Sequence, residues 1–258
     1  MLTATSKNIT EQDEDDIVYP DSDGKPMADN TKQFNWIVLI KEGLEAHFAP
    51  DPAVFVAGDL LWYPVKGDPK LRVAPDVLVA FGRPKGDRGS YQQWKEADIA
   101  PQVVFEVLSP GNSPVEMSRK FNFYERYGVE EYYLYDPDAN ELLGWHRKNG
   151  SLAEIDTMQD WCSPRLQIRF VVDSNTLFIY YPDGKRFATY TEIVYQIAHA
   201  EQIIAEKQKK IEETDKKIKK ERQKAEEERQ KAEEERRQKE ILAQKLKELG
   251  INPADLLK

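Results

Sequence analysis

The chain has little of what usually declares a function. One cysteine, Cys162, stands among 258 residues, so no disulfide forms within the chain and a reducing compartment is expected. With no partner nearby in the sequence, Cys162 reads as a small buried residue. The three histidines, His47, His146 and His199, lie far apart without ligand spacing, which gives a zinc-type site no support. No apolar run approaches the roughly 20 residues a membrane helix needs. The beginning of the chain is polar and acidic, unlike a signal peptide. A cytoplasmic protein without a membrane partner is the expectation. No phosphate-cradling G-x-x-x-x-G-K-[ST], no G-x-G-x-x-G and no G-x-S-x-G occurs, so NTP hydrolysis, dinucleotide chemistry and a serine nucleophile elbow find no footing. Positive charge is also scarce. The formal net charge is −9, and residues 201–258 hold 17 basic against 15 acidic residues, so the negative excess lies in residues 1–200. An acidic body does not advertise non-specific nucleic-acid binding, although local distribution matters more than the sum.

Residues 1–28 are polar, with an acidic run from Glu11 to Asp16 and turn signals at Pro20, Asp23-Gly24 and Pro26. They read as a mostly irregular arm. Residues 29–190 read as one α/β domain with a mixed central sheet flanked by helices. Asp29 or Asn30 caps a helix to about Phe48, with Phe34, Ile37, Val38, Leu44 and Phe48 at helical spacing. Ala53–Ala57 and Asp59–Val65 read as a hairpin pair around Gly58. Two Val- and Leu-rich strands follow, Val73–Phe81 and Pro101–Ser109. The loop between them, Gly82 to Ala100, holds Arg83, Lys85, Arg88 and Lys95 against Asp87, Glu96 and Asp98, and is a candidate phosphate grip or a solvated loop. Ser113 and Glu116 form a capping box, with Pro114 suited to the first helical position and Gly128 marking the helix end. Strands are expected at Glu131–Tyr135, Leu142–Arg147, Leu166–Val172 and Thr176–Tyr181. Tyr132, Tyr133, Tyr135 and Trp145 read as core and strand-pairing aromatics rather than a base-stacking platform.

Residues 191–258 change character. A seven-residue unit, Glu-Arg-Gln-Lys-Ala-Glu-Glu, begins at Glu221 and repeats at Glu228. Ile197, Ile204, Ile211, Ile218, Ala225 and Ala232 recur at the same heptad position, but the second seam position is polar. A coiled coil needs both positions apolar. The pattern therefore predicts a long helix, solvated or weakly dimerising, supported by Glu–Lys/Arg pairs one turn apart. The segment from Ile241 through Leu249, Ile251 and Leu256-Leu257 is apolar again.

The chemistry is concentrated in the two apolar strands. Asp76 and Glu106 sit in runs that read as buried on both faces, where a carboxylate is costly unless paired or metal-bound. Two strand-borne carboxylates on one sheet can hold Mg²⁺, or Mn²⁺, and leave positions for water and phosphate. Lys120 lies at the edge of the Met117–Phe121–Tyr124 stripe of the following helix, where it can reach the same site. Asp59 is a candidate third ligand, or a turn residue after Gly58. Lys120 as a snorkelling surface lysine is the plain alternative.

The words Ala74-Pro75-Asp76-Val77, Phe105-Glu106-Val107-Leu108-Ser109-Pro110, Lys120, Tyr124 and Tyr127-Gly128-Val129-Glu130-Glu131-Tyr132 resemble the Uma-type restriction-endonuclease family of the PD-(D/E)XK superfamily. The resemblance spans roughly Ile17 to Phe187. It implies a restriction-endonuclease-like fold, DNA as partner, and metal-dependent phosphodiester hydrolysis. It makes Asp76 and Glu106 the metal ligands and Lys120 the lysine that aids attack by water. The E-x-K lysine position is Leu108 here, and Lys120 matches the Uma-type lysine on the next helix. For the family's helical glutamate, Glu42 and Glu45 are weak matches. The rival reading is an inactive nuclease-fold protein that works in binding or assembly through its C-terminal helix, with a homodimer as one form.

Overall fold

The protein is described from a computed structural model over residues 17–24 and 26–250. The acidic run Glu11–Asp16 and the apolar residues Ile251, Leu256 and Leu257 lie outside the described residues. The described residues up to Thr189 form one compact unit, and those from Tyr190 onward a second.

Helix α1 spans Thr31–His47. The side chain of Asn30 caps it by accepting the Gln33 N–H at 2.9 Å, which satisfies one of the orphan donors of the first turn. Its buried face is Gln33, Ile37, Ile40 and Leu44, spaced three or four apart. Phe34 and Val38 do not belong to that face and are 45% and 39% exposed. They sit one step round the helix, where the sheet no longer reaches. Gly43 is required by packing: a Cβ there would lie 2.1 Å from the Phe187 ring.

The central sheet contains β1 (Val54–Gly58), β3 (Val77–Phe81), β5 (Val103–Val107), β6 (Glu131–Asp136), β7 (Glu141–Lys148) and β8 (Ser151–Glu154), in the spatial order β1-β3-β5-β6-β7-β8. The β5–β6 pair is parallel and its neighbours are antiparallel, so the sheet is mixed. Strand–helix–strand connectivity through α2 (Pro114–Arg126) makes that parallel pair. The expected hairpin around Gly58 does not form. After Gly58, Asp59 takes a left-handed φ of +48° and its N–H donates to the Asp76 carbonyl at 3.1 Å. The chain then leaves the sheet, and β2 (Trp62–Tyr63) pairs in parallel with β4 (Tyr91–Gln92) instead.

One face of the sheet is packed by α1 and by the hairpin of β9 (Arg169–Val172) and β10 (Leu177–Tyr180), around Phe105, Tyr133 and Phe170. The other face is packed by α2 and the β2–β4 segment, around Trp62, Val104, Tyr124 and Tyr132. Val104 and Leu78 face α2, so the residues two positions along, Glu106 and Asp76, are aimed at the same side. Helix α2 begins as its capping residues require, with Ser113 Oγ accepting the Glu116 N–H at 3.2 Å. It ends before Gly128, whose φ is +91°.

The basic loop between β3 and β5 is largely committed to itself. Arg88 Nε lies 2.6 Å from Glu96 Oε1 and its guanidinium covers the Phe55 ring. Lys85 pairs with Glu45 at 3.1 Å. Cys162 is exposed, not buried. Tyr132 stacks on Trp145 as a cross-strand pair.

In the second unit, helix α3 runs from Tyr190 to Glu248. Ile197, Ile204, Ile211 and Ile218 are 42–61% exposed along it. Among the described residues, no helix is long and apolar enough to cross a membrane.

Candidate active site

The register of β3 on β5 brings the two strand carboxylates together. Val77 pairs with Phe105 and Leu78 with Val104. One step further along this antiparallel ladder, Asp76 lies opposite Glu106. Directly opposed residues have Cβ atoms about 4.5–5.5 Å apart, and like charges there repel. Both are nearly out of solvent, at 8% and 3% exposure. Such a pair is expensive unless other groups compensate it.

The compensation comes from α2 and from the backbone. Lys120 Nζ lies 2.7 Å from Glu106 Oε2 and 3.4 Å from the Ala74 carbonyl. Tyr124, one turn on, donates its hydroxyl to Glu106 Oε1. Asp76 Oδ2 accepts the Val107 N–H at 2.6 Å. The carbonyl of Val107 is held in turn by Gln33 Nε2 at 2.8 Å. Burial, and then the Glu106 carboxylate, push the Asp76 carboxyl well above its ordinary range, against the pull of Lys120 and the Val107 N–H. Burial works to lower the Lys120 pKa, but Glu106 and Asp76 outweigh it and hold the ammonium above its ordinary value. Burial and the Glu106 charge keep Tyr124 firmly protonated. The Tyr132 hydroxyl, buried close to both carboxylates, has no hydrogen-bond partner among the described residues.

Asp76, Lys120 and Gln33 line a cleft of about 540 Å³, together with Asp59, Arg72 and Arg119 among others, while Glu106 lies behind Lys120 and Asp76. The candidates Asp76, Glu106 and Lys120 are therefore neighbours. Asp59 faces the same cleft, and burial with the nearby Asp23 raises its carboxyl pKa. It does not complete a ligand set: no group of three or more His, Cys, Asp or Glu among the described residues is arranged to hold a metal. Glu42 is an exposed residue bonded to Lys41, and Glu45 pairs with Lys85, so neither reaches the cleft. The residue of α1 that does is Gln33, missed because a polar side chain hides the start of the buried line 33, 37, 40, 44. Tyr124 carried its own signal, standing four residues after Lys120. Arg72 and Arg119 had none.

The donor set suits a hard divalent cation. It is all oxygen, and it holds two carboxylates whose mutual repulsion a cation relieves. Two carboxylates are enough for Mg²⁺, which keeps several waters.

A family model described as "Putative restriction endonuclease" matches residues 25–170. The chain belongs to this Uma2 family. None of the curated proteins matches it. Among solved structures it is similar to a "putative nuclease belonging to DUF820 from Anabaena variabilis ATCC 29413". That likeness has 16% sequence identity and a TM-score of 0.43, over 55% of this chain and 77% of the other. The Uma2 match contains Asp76, Glu106 and Lys120 and excludes all of α3.

Proposed function

We propose that this Uma2 protein is a divalent-metal-dependent nuclease that hydrolyses DNA phosphodiester bonds from the Asp76–Glu106–Lys120 cluster. The observation that carries the reading is a buried, opposed carboxylate pair with a lysine ammonium 2.7 Å from Glu106, where Asp76 and that lysine line a cleft. Two buried carboxylates face to face are costly without a compensating positive charge. Asp76 and Glu106 would hold Mg²⁺ or Mn²⁺. The ion supplies a water of lowered pKa and offsets charge on the phosphate.

The chain's own groups have separate tasks. Lys120 stays protonated; Glu106 and the Ala74 carbonyl take two of its three N–H donors, and the third is left for the cleft, where it can orient a water or neutralise charge growing on a phosphate oxygen. Tyr124 fixes the second oxygen of Glu106 and so sets the angle of that carboxylate. Gln33 holds the Val107 carbonyl, and through that peptide steadies the N–H that anchors Asp76.

A second reading, a nuclease-fold protein used for binding or assembly, is favoured by one observation. Both Glu106 oxygens are already engaged, by Lys120 and by Tyr124. The test is DNA cleavage in Mg²⁺ and Mn²⁺ by the wild type, Asp76→Asn and Glu106→Gln, with metal binding followed by calorimetry. The nuclease reading expects cleavage that both variants lose while staying folded. Metal binding without cleavage of any polynucleotide favours the second reading.

A further inference from the structure

One buried group beside the carboxylates is left without a partner. Tyr132 is 1% exposed, and its hydroxyl has no hydrogen-bond partner among the described residues. Such a group costs stability, and most buried polar atoms are paired. Strand register puts it beside Glu106. Tyr132 pairs with Val104 in the parallel β5–β6 ladder, and Glu106 follows two residues on along the same face. A diagonal neighbour at that spacing is within reach of an aromatic side chain. Burial raises the pKa of the hydroxyl first, and the Glu106 and then the Asp76 charge add to this. Packing holds the ring in place. It stacks on Trp145 with centroids 5.0 Å apart, and Tyr124 and Phe121 flank it at 5.2 and 6.2 Å. Swinging it away to find a partner would break this packing. Tyr132 does not line the cleft, so its hydroxyl lies behind the carboxylates and out of a substrate's reach.

Resting on the metal-dependent reading above, we propose that Tyr132 is a positioning residue for Glu106, and that its hydroxyl donates to this carboxylate when the site holds its divalent cation. In the present structure Lys120 holds Oε2 and Tyr124 holds Oε1, and between them they fix the plane of the carboxylate. A cation in the cleft competes with the Lys120 ammonium for Oε2, since two positive charges on one oxygen repel. Lys120 has a second acceptor to keep, the Ala74 carbonyl at 3.4 Å. The final torsion of a glutamate is broad and soft, so the carboxylate turns at little cost once the ammonium loosens. A carboxylate has about four acceptor sites, and the Lys120 and Tyr124 contacts use two of them. Tyr132 supplies a donor to the inner side. That donor is already immobile, so little side-chain entropy is lost when the bond forms. It acts on the metal only through Glu106. The engagement of both Glu106 oxygens is then no bar to metal binding: the Lys120 contact is exchangeable, and Tyr132 joins Tyr124 on the other side.

The test uses the full chain as wild type, Tyr132→Phe and Tyr124→Phe. Melting in EDTA reads the effect of each hydroxyl without metal, and calorimetric titration with Mn²⁺ and Mg²⁺ reads its effect on metal binding. Tyr132→Phe should melt no lower than wild type in EDTA, because it removes an unpaired buried hydroxyl. It should bind Mn²⁺ about tenfold more weakly, the usual effect of losing a hydrogen bond to a charged group. Its melting temperature should accordingly rise less than that of wild type when Mn²⁺ is added. Tyr124→Phe should differ by losing stability already in EDTA, since its hydroxyl is engaged there. A ring that only packs leaves the Mn²⁺ affinity unmoved, and that result overturns the inference while the nuclease reading, judged by cleavage, stands. A Tyr132→Phe protein that melts several degrees lower in EDTA shows the hydroxyl already paired, and overturns it too. Weaker Mn²⁺ binding by Tyr132→Phe, beside a wild type that cuts no polynucleotide, keeps the inference and overturns the nuclease reading. A wild type that binds neither ion overturns both.

Discussion

Lys120 Nζ lies 2.7 Å from Glu106 Oε2, and Glu106 is almost fully buried. Removing one member of such a pair leaves an uncompensated charge in a poor solvent for it. Lys120→Met should therefore destabilise the first unit by about 3 kcal/mol. The double change Lys120→Met with Glu106→Met should recover most of that loss, because it also frees Asp76 from a like charge. Thermal melts of the three proteins check this. A double variant no more stable than Lys120→Met contradicts the account.

Tyr124→Phe removes the donor to Glu106 Oε1 and changes little else in shape. It should lower stability by about 1–3 kcal/mol, the penalty for an unsatisfied buried acceptor. It should also slow cleavage while Lys120 remains in place. Unchanged melting and unchanged cleavage together would remove Tyr124 from the site.

The raised pKa of Asp76 makes stability depend on pH in a definite sense. Its carboxyl keeps a proton in the folded chain at pH values where the unfolded chain, near the ordinary value of 3.8, has lost it. The folded state then binds more protons, so stability falls as pH rises from about 4 through the folded-state pKa. In EDTA, wild type should lose melting temperature over this interval, and Asp76→Asn should lose less. Parallel curves for the two proteins over that range contradict the assignment.

Glu131 is a buried carboxylate outside the cleft. It accepts from Tyr133 at 2.9 Å, from the Arg165 N–H at 2.7 Å and from Ser163, and so ties the segment after β8 to the sheet. Glu131→Ala orphans these donors and should cost about 3 kcal/mol. Any loss of cleavage should follow only the loss of folded protein. Melting and specific activity per folded molecule separate the two effects.

The division at Thr189 predicts that a chain ending there keeps its cooperative melt, since its sheet and both its helices lie within the first unit. Self-association of the full chain should cross-link most readily at Ile197–Ile218, where the heptad carries isoleucine, and fray beyond Ala225. A truncated chain that fails to fold, or a tight seam at Ala225–Arg237, contradicts this.

Much of the site was legible because burial makes charge conspicuous. Asp76 and Glu106 stand out in runs of Val, Leu and Phe, and Lys120 follows from its helix phase. What brings Asp76 opposite Glu106 is strand register, and register is a long-range property that the mixed pairing of β3, β5 and β6 settles. The hairpin expected at Gly58 failed for a related reason. Local turn signals were present, but the Asp59 N–H bonds to the Asp76 carbonyl and β1 pairs with β3. Gln33 and Glu131 were hidden because a buried polar side chain looks, in sequence, like a solvated one. The arginines of the basic loop advertised phosphate and are instead held by Glu96.

The identical heptads at Glu221 and Glu228 give α3 a translational symmetry along its own axis. A slip of seven residues, about 10 Å at the usual helical rise, presents the same side chains again. Any helix that docks on this stretch meets two nearly equal-energy alignments rather than one. That stretch tolerates sliding, and the isoleucines upstream of it are what can fix a single alignment.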